Sequence, residues 1–143
     1  MADTAPLKAA ISASLDNATD ALTTFGEDIF DHAELGFREE RTAARVADAL
    51  RRLGLAPREG LALTGVSARL DGSSSGPTIA LIGELDGLLV PDHPRAQPST
   101  GVVHACGHNA QVAMMVGAGM ALREIAPQLA GRIHLDAPAM LFN

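Results

Sequence analysis

The chain has 143 residues, 47% of them hydrophobic, and a formal net charge of −6, enough for one compact core but not comfortably for two. The acidic balance offers no basic stripe to neutralise phosphates, which argues against a nucleic-acid partner; four Phe with no Trp or Tyr leave few platforms for stacking on bases or sugars. One cysteine cannot close an internal disulfide, the N-terminus lacks the basic head and apolar stretch of a signal peptide, and no apolar run is long enough to span a membrane, so the expectation is a cytoplasmic chain with no membrane partner.

Leu7, Ile11, Leu15, Leu22, Phe25 and Ile29 recur at spacings of three, four or seven, one apolar stripe of a long helix. Asp3 or Thr4 can cap its start, with Pro6 in the first turn. A break is expected around Glu34-Leu35-Gly36-Phe37. A second helix then carries Ala43, Val46, Leu50 and Leu53 on one face and stops at Gly54. Arg41, Arg45 and Arg52 opposite read as a solvated face. Val66, Ala68 and Leu70 alternate with Ser67 and Arg69 as in a half-exposed strand. Asp71 to Pro77 reads as a plain loop; it lacks the Gly-Lys-Ser/Thr ending of a phosphate cradle.

Thr78 to Leu85 is almost continuously apolar, the pattern of a strand covered on both faces. Glu84 and Asp86 follow at its C-terminal end, where ligand sites of α/β sheets lie. Gly87 to Gly101 holds three prolines and no periodicity, a long loop of the size that is often functional. Val112, Met115, Ala118, Leu122 and Ile125 mark a third helix, in which Gly117 and Gly119 permit close packing and the methionines are core filler. Pro127 ends it, and Arg132 to Leu135 reads as a short strand. The order α-α-β-β-β-α-β predicts an α/β fold, with helices packed on a mixed β-sheet.

The chemistry concentrates in His104-Ala105-Cys106-Gly107-His108-Asn109, which holds the sole cysteine and two of the five histidines. A thiolate and an imidazole two residues apart can converge on one divalent ion where the backbone is extended or sharply turned. A lone Cys is most often a small buried hydrophobe, and a lone His usually satisfies only its own hydrogen bonds. Three such residues within five positions, opened by Gly101 and split by Gly107, set a metal or catalytic role beside those readings on about even terms.

From about Glu27 to Leu135 the chain resembles the metal-dependent amidohydrolases related to aminoacylase, hippurate hydrolase, indole-acetyl-amino-acid hydrolase and aminobenzoyl-glutamate hydrolase. The resemblance rests, in order, on His32-Ala33-Glu34-Leu35-Gly36-Phe37 with Glu39 and Thr42, on Thr64-Gly65-Val66, on Ile79 to Leu88, and on the His104–Asn109 motif with Ala113 and Gly117 behind it. It implies the N-terminal portion of a zinc-exopeptidase-like catalytic domain, with residues 1–143 a partial domain lacking the lid or dimerisation domain and the C-terminal half. It also implies one or two Mn or Zn ions per complete site, hydrolysis of an amide bond in a small N-acyl amino acid or dipeptide, and a homo-oligomer as one available assembly.

Residue by residue, the resemblance makes Cys106 and His108 metal ligands and adds His104 as a weaker candidate. It makes Asp86 the aspartate that supports the metal centre by fixing an imidazole. Glu84 stands where relatives carry a His or Asp; a metal contact and a structural hydrogen bond are both open to it. His32 reads as helix-break packing, and His93 and His134 match nothing functional. Relatives draw the proton-transferring carboxylate from a Pro-Ala-Glu-Glu stretch, where this chain has Pro138-Ala139-Met140-Leu141. The chain alone is therefore expected to be inactive. Its alternatives are a non-catalytic metal-binding or interaction domain, and a hydrolase using Cys106 as a thiol nucleophile with His108 or His104 as base.

Overall fold

The computed structural model describes residues 3–139, so Met140 and Leu141, the positions compared with the glutamate pair, lie outside the described residues. Helix α1 runs Ala5–Phe30 and helix α2 Glu40–Arg52. Strands β1 (Arg58–Leu61), β2 (Gly65–Asp71) and β3 (Ser74–Ile82) follow, then the two-residue strands β4 (Leu88–Leu89) and β5 (Val102–Val103). Helix α3 spans His108–Ile125, a 3-10 turn covers Ala126–Gln128, and β6 is Ala130–Ala137. The main sheet has the order β1-β2-β6-β3, with β6 antiparallel to β2 and parallel to β3. It is a mixed sheet under helices, as the sequence predicts.

Helices α2 and α3 pack on one face of this sheet, with α1 laid mainly against α3, because the apolar alternation of the central strands points there. Val66 and Ala68 of β2 lie opposite Ala137 and Leu135 of β6 in register. All four pack in one buried cluster with Ile29 of α1, Val46 and Leu50 of α2, and Val112 and Met115 of α3. Close approach of α3 depends on its glycines: a Cβ on Gly119 would sit 2.6 Å from Leu135 Cδ1, and one on Gly117 2.8 Å from Leu22 Cδ1. The other face of β2 and β6 is polar, with Ser67 donating to Asp136 at 2.5 Å.

Four local expectations are corrected. The segment Asp71–Pro77 is not all loop: β3 begins at Ser74 and reaches β6 beside Gly131, whose φ of +88° and tight contact with Pro77 admit only glycine. The apolar strand is not covered on both faces. β3 is an edge strand with almost every residue exposed, Ile79 by 54% and Ile82 by 61%; an apolar run says that a strand has partners to bury against, and among the described residues β6 alone supplies one. The region 87–101 is not a free loop, because β4 pairs with β5 and closes it into a hairpin-like excursion. Nor are Arg41 and Arg45 merely solvated: both bond the Asp28 carboxylate, at 2.8 and 2.9 Å, and tie α2 to the last turns of α1. Bonding to the Arg41 guanidinium, with Arg45 beside it, holds the Asp28 carboxyl below its usual value.

The chain Asp28–Phe37 consequently enters α2 along a fixed path. Arg95, reaching across from the excursion, adds bonds to Glu27 and Asp31 at 2.8 Å and lies 3.8 Å over the Phe30 ring. Each such exposed ion pair stabilises weakly, but together they fasten three segments around the end of α1. No helix among the described residues is long and apolar enough to cross a membrane.

Candidate metal centre

Two backbone features bring the chemical residues together. Leaving β3, the segment Gly83–Gly87 runs on past the sheet, its first amide still bonded to the Asp136 carbonyl of β6 at 3.0 Å. Helix α3 starts directly over it: a Cβ on Gly83 would meet Val112 Cα at 2.9 Å. Gly107, with φ +84°, makes the left-handed turn from β5 into α3. A side chain would be strained in that conformation. The turn carries Cys106 and His108 back toward the end of β3.

His108 is buried at the first position of α3 and its ring is held at both nitrogens. Nδ1 lies 2.9 Å from the Asp86 carbonyl and 3.0 Å from Asp86 Oδ1, and Nε2 lies 2.8 Å from Glu84 Oε2. Asp86 is itself only 1% exposed. Asp86 thus lies on the Nδ1 side of the ring, and the Glu84 carboxylate on the Nε2 side. Cys106 is exposed on the turn, with Sγ 3.9 Å from the same Asp86 carbonyl. Desolvation pushes its thiol up, and the Asp86 and Glu84 charges add to the rise. That direction disfavours the free thiolate a nucleophile needs, which argues against the thiol-nucleophile reading.

His104 is 2% exposed and sits 6.5 Å from the Phe30 ring, centroid to centroid. Neither ring nitrogen has a hydrogen-bond partner among the described residues. Burial, reinforced by His108, pushes its pKa down to about 4; the nearby Asp86 carbonyl opposes this without reaching hydrogen-bond geometry. His104 is thus a neutral imidazole behind the cluster. The other histidines stay apart in their bonding: exposed His32 returns to the Asp28 carbonyl at 2.8 Å, His93 accepts from the Arg95 amide at 3.1 Å, and His134 lies opposite Arg69 in the sheet.

The cluster fits a divalent ion in kind, since it offers a thiol and an imidazole oriented by a carboxylate. In number it falls short: among the described residues no group of three or more His, Cys, Asp or Glu is arranged to hold an ion. Motif reading also assigned no task to Glu34 or Gly87. Glu34 accepts from the Arg41 and Thr42 amides at 3.1 and 2.8 Å and from Thr42 Oγ1 at 2.8 Å, capping α2 from six residues before its start. Local capping patterns look no further than three or four residues, so this link leaves no short-range signal.

No family model matches the chain. It is 36% identical over 111 residues to thermostable carboxypeptidase 1 of Saccharolobus solfataricus, which covers 75% of this chain and 28% of that protein. It is 34% identical over 110 residues to the N-acetyl-L-cysteine deacetylase of Bacillus subtilis, covering 75% of this chain and 26% of that one. Among solved structures it superposes on the YXEP protein of Bacillus subtilis, a dinuclear metal-binding peptidase of the M20 family. That match has a TM-score of 0.74 and 28% identity, and covers 82% of this chain and 34% of the other. The chain therefore spans about a third or less of the length of the relatives it matches. By sequence and by fold, it matches the amidohydrolase and M20 peptidase family over part of that family's α/β catalytic domain.

Proposed function

We propose that this segment is the Cys106–His108 half of a metal-dependent amidohydrolase site acting on an N-acyl amino acid or a dipeptide-like substrate. The observation that carries the reading is His108 held between Asp86 and Glu84, with the Cys106 sulfur turned to the same Asp86 carbonyl. Cys106 Sγ and His108 Nε2 would hold the ion, zinc or manganese. Asp86 fixes the imidazole so that its lone pair faces outward, which raises ligand basicity. A bound ion of this type polarises the amide carbonyl and activates water. Hydrolysis forms a carbon–oxygen bond, breaks the carbon–nitrogen bond and moves a proton from water to the leaving amine. A carboxylate carries that proton; of the two beside the imidazole, Asp86 is engaged at Nδ1, and Glu84, at Nε2, is the one on the ligating side. His104, neutral and buried, is a packing neighbour of the pair and not its third ligand.

A second reading, a metal-binding or interaction domain without catalysis, is favoured by the two-ligand donor set. The two separate in one experiment. The purified chain is titrated with zinc and assayed for amine release from N-acetyl amino acids and dipeptides, alongside Cys106→Ser. The expected result is zinc binding that weakens in Cys106→Ser and at acid pH, where thiol and imidazole hold their protons, with no turnover by the chain alone. Equal zinc affinity in the two proteins would remove Cys106 from the site. Chelator-sensitive turnover would make Glu84 the base and discard the second reading.

A further inference from the structure

We propose that Glu34 is the positioning residue of this cluster: its carboxylate, by capping α2, fixes the backbone that holds the Asp86 carbonyl against Cys106 and His108. The inference rests on the metal-site reading above and extends it to a residue that touches no ligand.

The connection is continuous. The Glu34 carboxylate takes two amide bonds and one hydroxyl bond from Arg41 and Thr42, the latter buried at 0% exposure. These donors are the first-turn N–H groups that have no intrahelical acceptor, and a carboxylate there also meets the positive end of the helix. The same residue's backbone carbonyl accepts from Gly87 N at 2.8 Å, and Leu35 and Gly87 form an isolated parallel bridge. Gly87 is wedged tightly on its other sides: a Cβ there would lie 3.0 Å from Val102 Cγ1, 3.1 Å from the Val103 carbonyl and 3.2 Å from Ala33 Cβ. Its position is therefore set by Glu34 on one flank and by β5, the strand leading to the Cys106 turn, on the other.

Asp86 is the next residue back along the chain. Its carbonyl accepts from His108 Nδ1 at 2.9 Å and faces Cys106 Sγ at 3.9 Å. One peptide plane, with its oxygen at the cluster and its nitrogen bonded to Glu34, thus registers the end of β3 against the start of α3. Releasing the Glu34 side chain frees the Glu34 backbone, and with it the angle of that plane. Orienting partners of metal ligands typically change affinity 10–100-fold when removed; acting one residue further away, Glu34 belongs at the low end.

The test compares the wild-type chain with Glu34→Ala, Glu34→Gln and Asp28→Asn. Two readouts are used: cobalt(II) titration followed by the thiolate-to-cobalt charge-transfer band, and the imidazole nitrogen resonances of His108 without metal. Glu34→Ala is expected to weaken cobalt about tenfold and to move the His108 resonances. Glu34→Gln keeps an oxygen for both Thr42 bonds and is expected within about twofold of wild type. Asp28→Asn loosens the α1–α2 link without touching Gly87 and should lower the melting temperature while leaving both readouts in place. Unchanged His108 resonances in folded Glu34→Ala, or equal changes in Asp28→Asn, would overturn the proposal. Should Glu34→Ala not fold, Thr42→Val, which deletes one of the three bonds and keeps the shape, must move the resonances in the same direction or the proposal fails. If the wild type binds no cobalt, the metal reading falls, and the metal-free resonances still decide the role of Glu34.

Discussion

The junction around Asp86 and the outer edge of β3 are separated by only a few residues of chain, yet they are finished to different degrees. At the junction, Asp86, His104, His108, Glu39 and Thr42 are all buried. Except at His104 and at Arg41 Nη1, the polar groups of this region meet designated partners, Glu39 accepting from Thr64 at 2.5 Å among them. Along β3, Ile79 and Ile82 stand more than half exposed, and the outer edge of the strand has no pairing partner among the described residues. The junction draws its partners from helices α2 and α3 and from β5, all within reach of the same segment. β3 has apolar side chains patterned for burial and one neighbour. Local satisfaction of the polar cluster therefore does not require that the neighbouring sheet edge be paired.

The contrast breaks first at the core that both regions share. Leu135 lies on β6 between them, at 0% exposure and against Gly119. Leu135→Ala should cost about 2–5 kcal/mol, read as a lowered denaturant midpoint. A loss under about 1 kcal/mol would mean that the sheet and α3 are not packed as described.

A second test lies at the junction itself. His104 is buried neutral, with a folded pKa of about 4 against an ordinary value of 6.5. The unfolded chain therefore binds more protons between these values. The stability due to a neutral His104 is fully present above about pH 6.5 and is lost as pH falls toward 4, on the order of 3 kcal/mol across the window. His104→Phe should flatten that limb in urea melts run between pH 4 and 7. Parallel wild-type and variant curves would show that His104 reaches solvent.

The smallest effect on stability belongs to the edge. Ile82→Lys should change the folding free energy by no more than about 0.5 kcal/mol, as exposed substitutions do. It should nevertheless reduce self-association in sedimentation velocity, because an uncharged, apolar strand edge invites pairing and a lysine blunts it. Loss of several kcal/mol on this substitution would place Ile82 in a buried contact and remove the contrast between the two regions.

Much of the architecture was legible beforehand for identifiable reasons. The α1 and α2 stripes, the Gly54 stop and the alternation of Val66, Ala68 and Leu70 report local periodicity, and the elements appear where those patterns fall. The tight helix approaches at Gly117 and Gly119 were likewise legible, since only glycine spacing permits them. The meeting of Cys106 and His108 with Asp86, and more weakly with Glu84, was an expectation carried by the family resemblance, since local periodicity holds no trace of it. The tasks of Arg41 and Arg45 were not, because a charged helix face looks the same whether it meets water or an acidic helix end. The extension of β3 back to Ser74 was also hidden, since a Ser/Gly/Pro run gives no strand pattern and its pairing depends on Gly131, far along the chain.

By itself, then, the amino-acid sequence determined the helices, the central strands and the identity of the chemical groups, because each follows from the spacing of residues within one turn or one strand. Tertiary structure alone decided that His108 is held by two carboxylates at once, that His104 is shut away without a hydrogen-bond partner, and that Glu34 fastens α2 to the Gly87 amide. It also decided that an apolar strand lies at an open edge. Burial and long-range hydrogen bonding are properties of which segments meet, and residues 22 or more positions apart leave no periodic trace of their meeting.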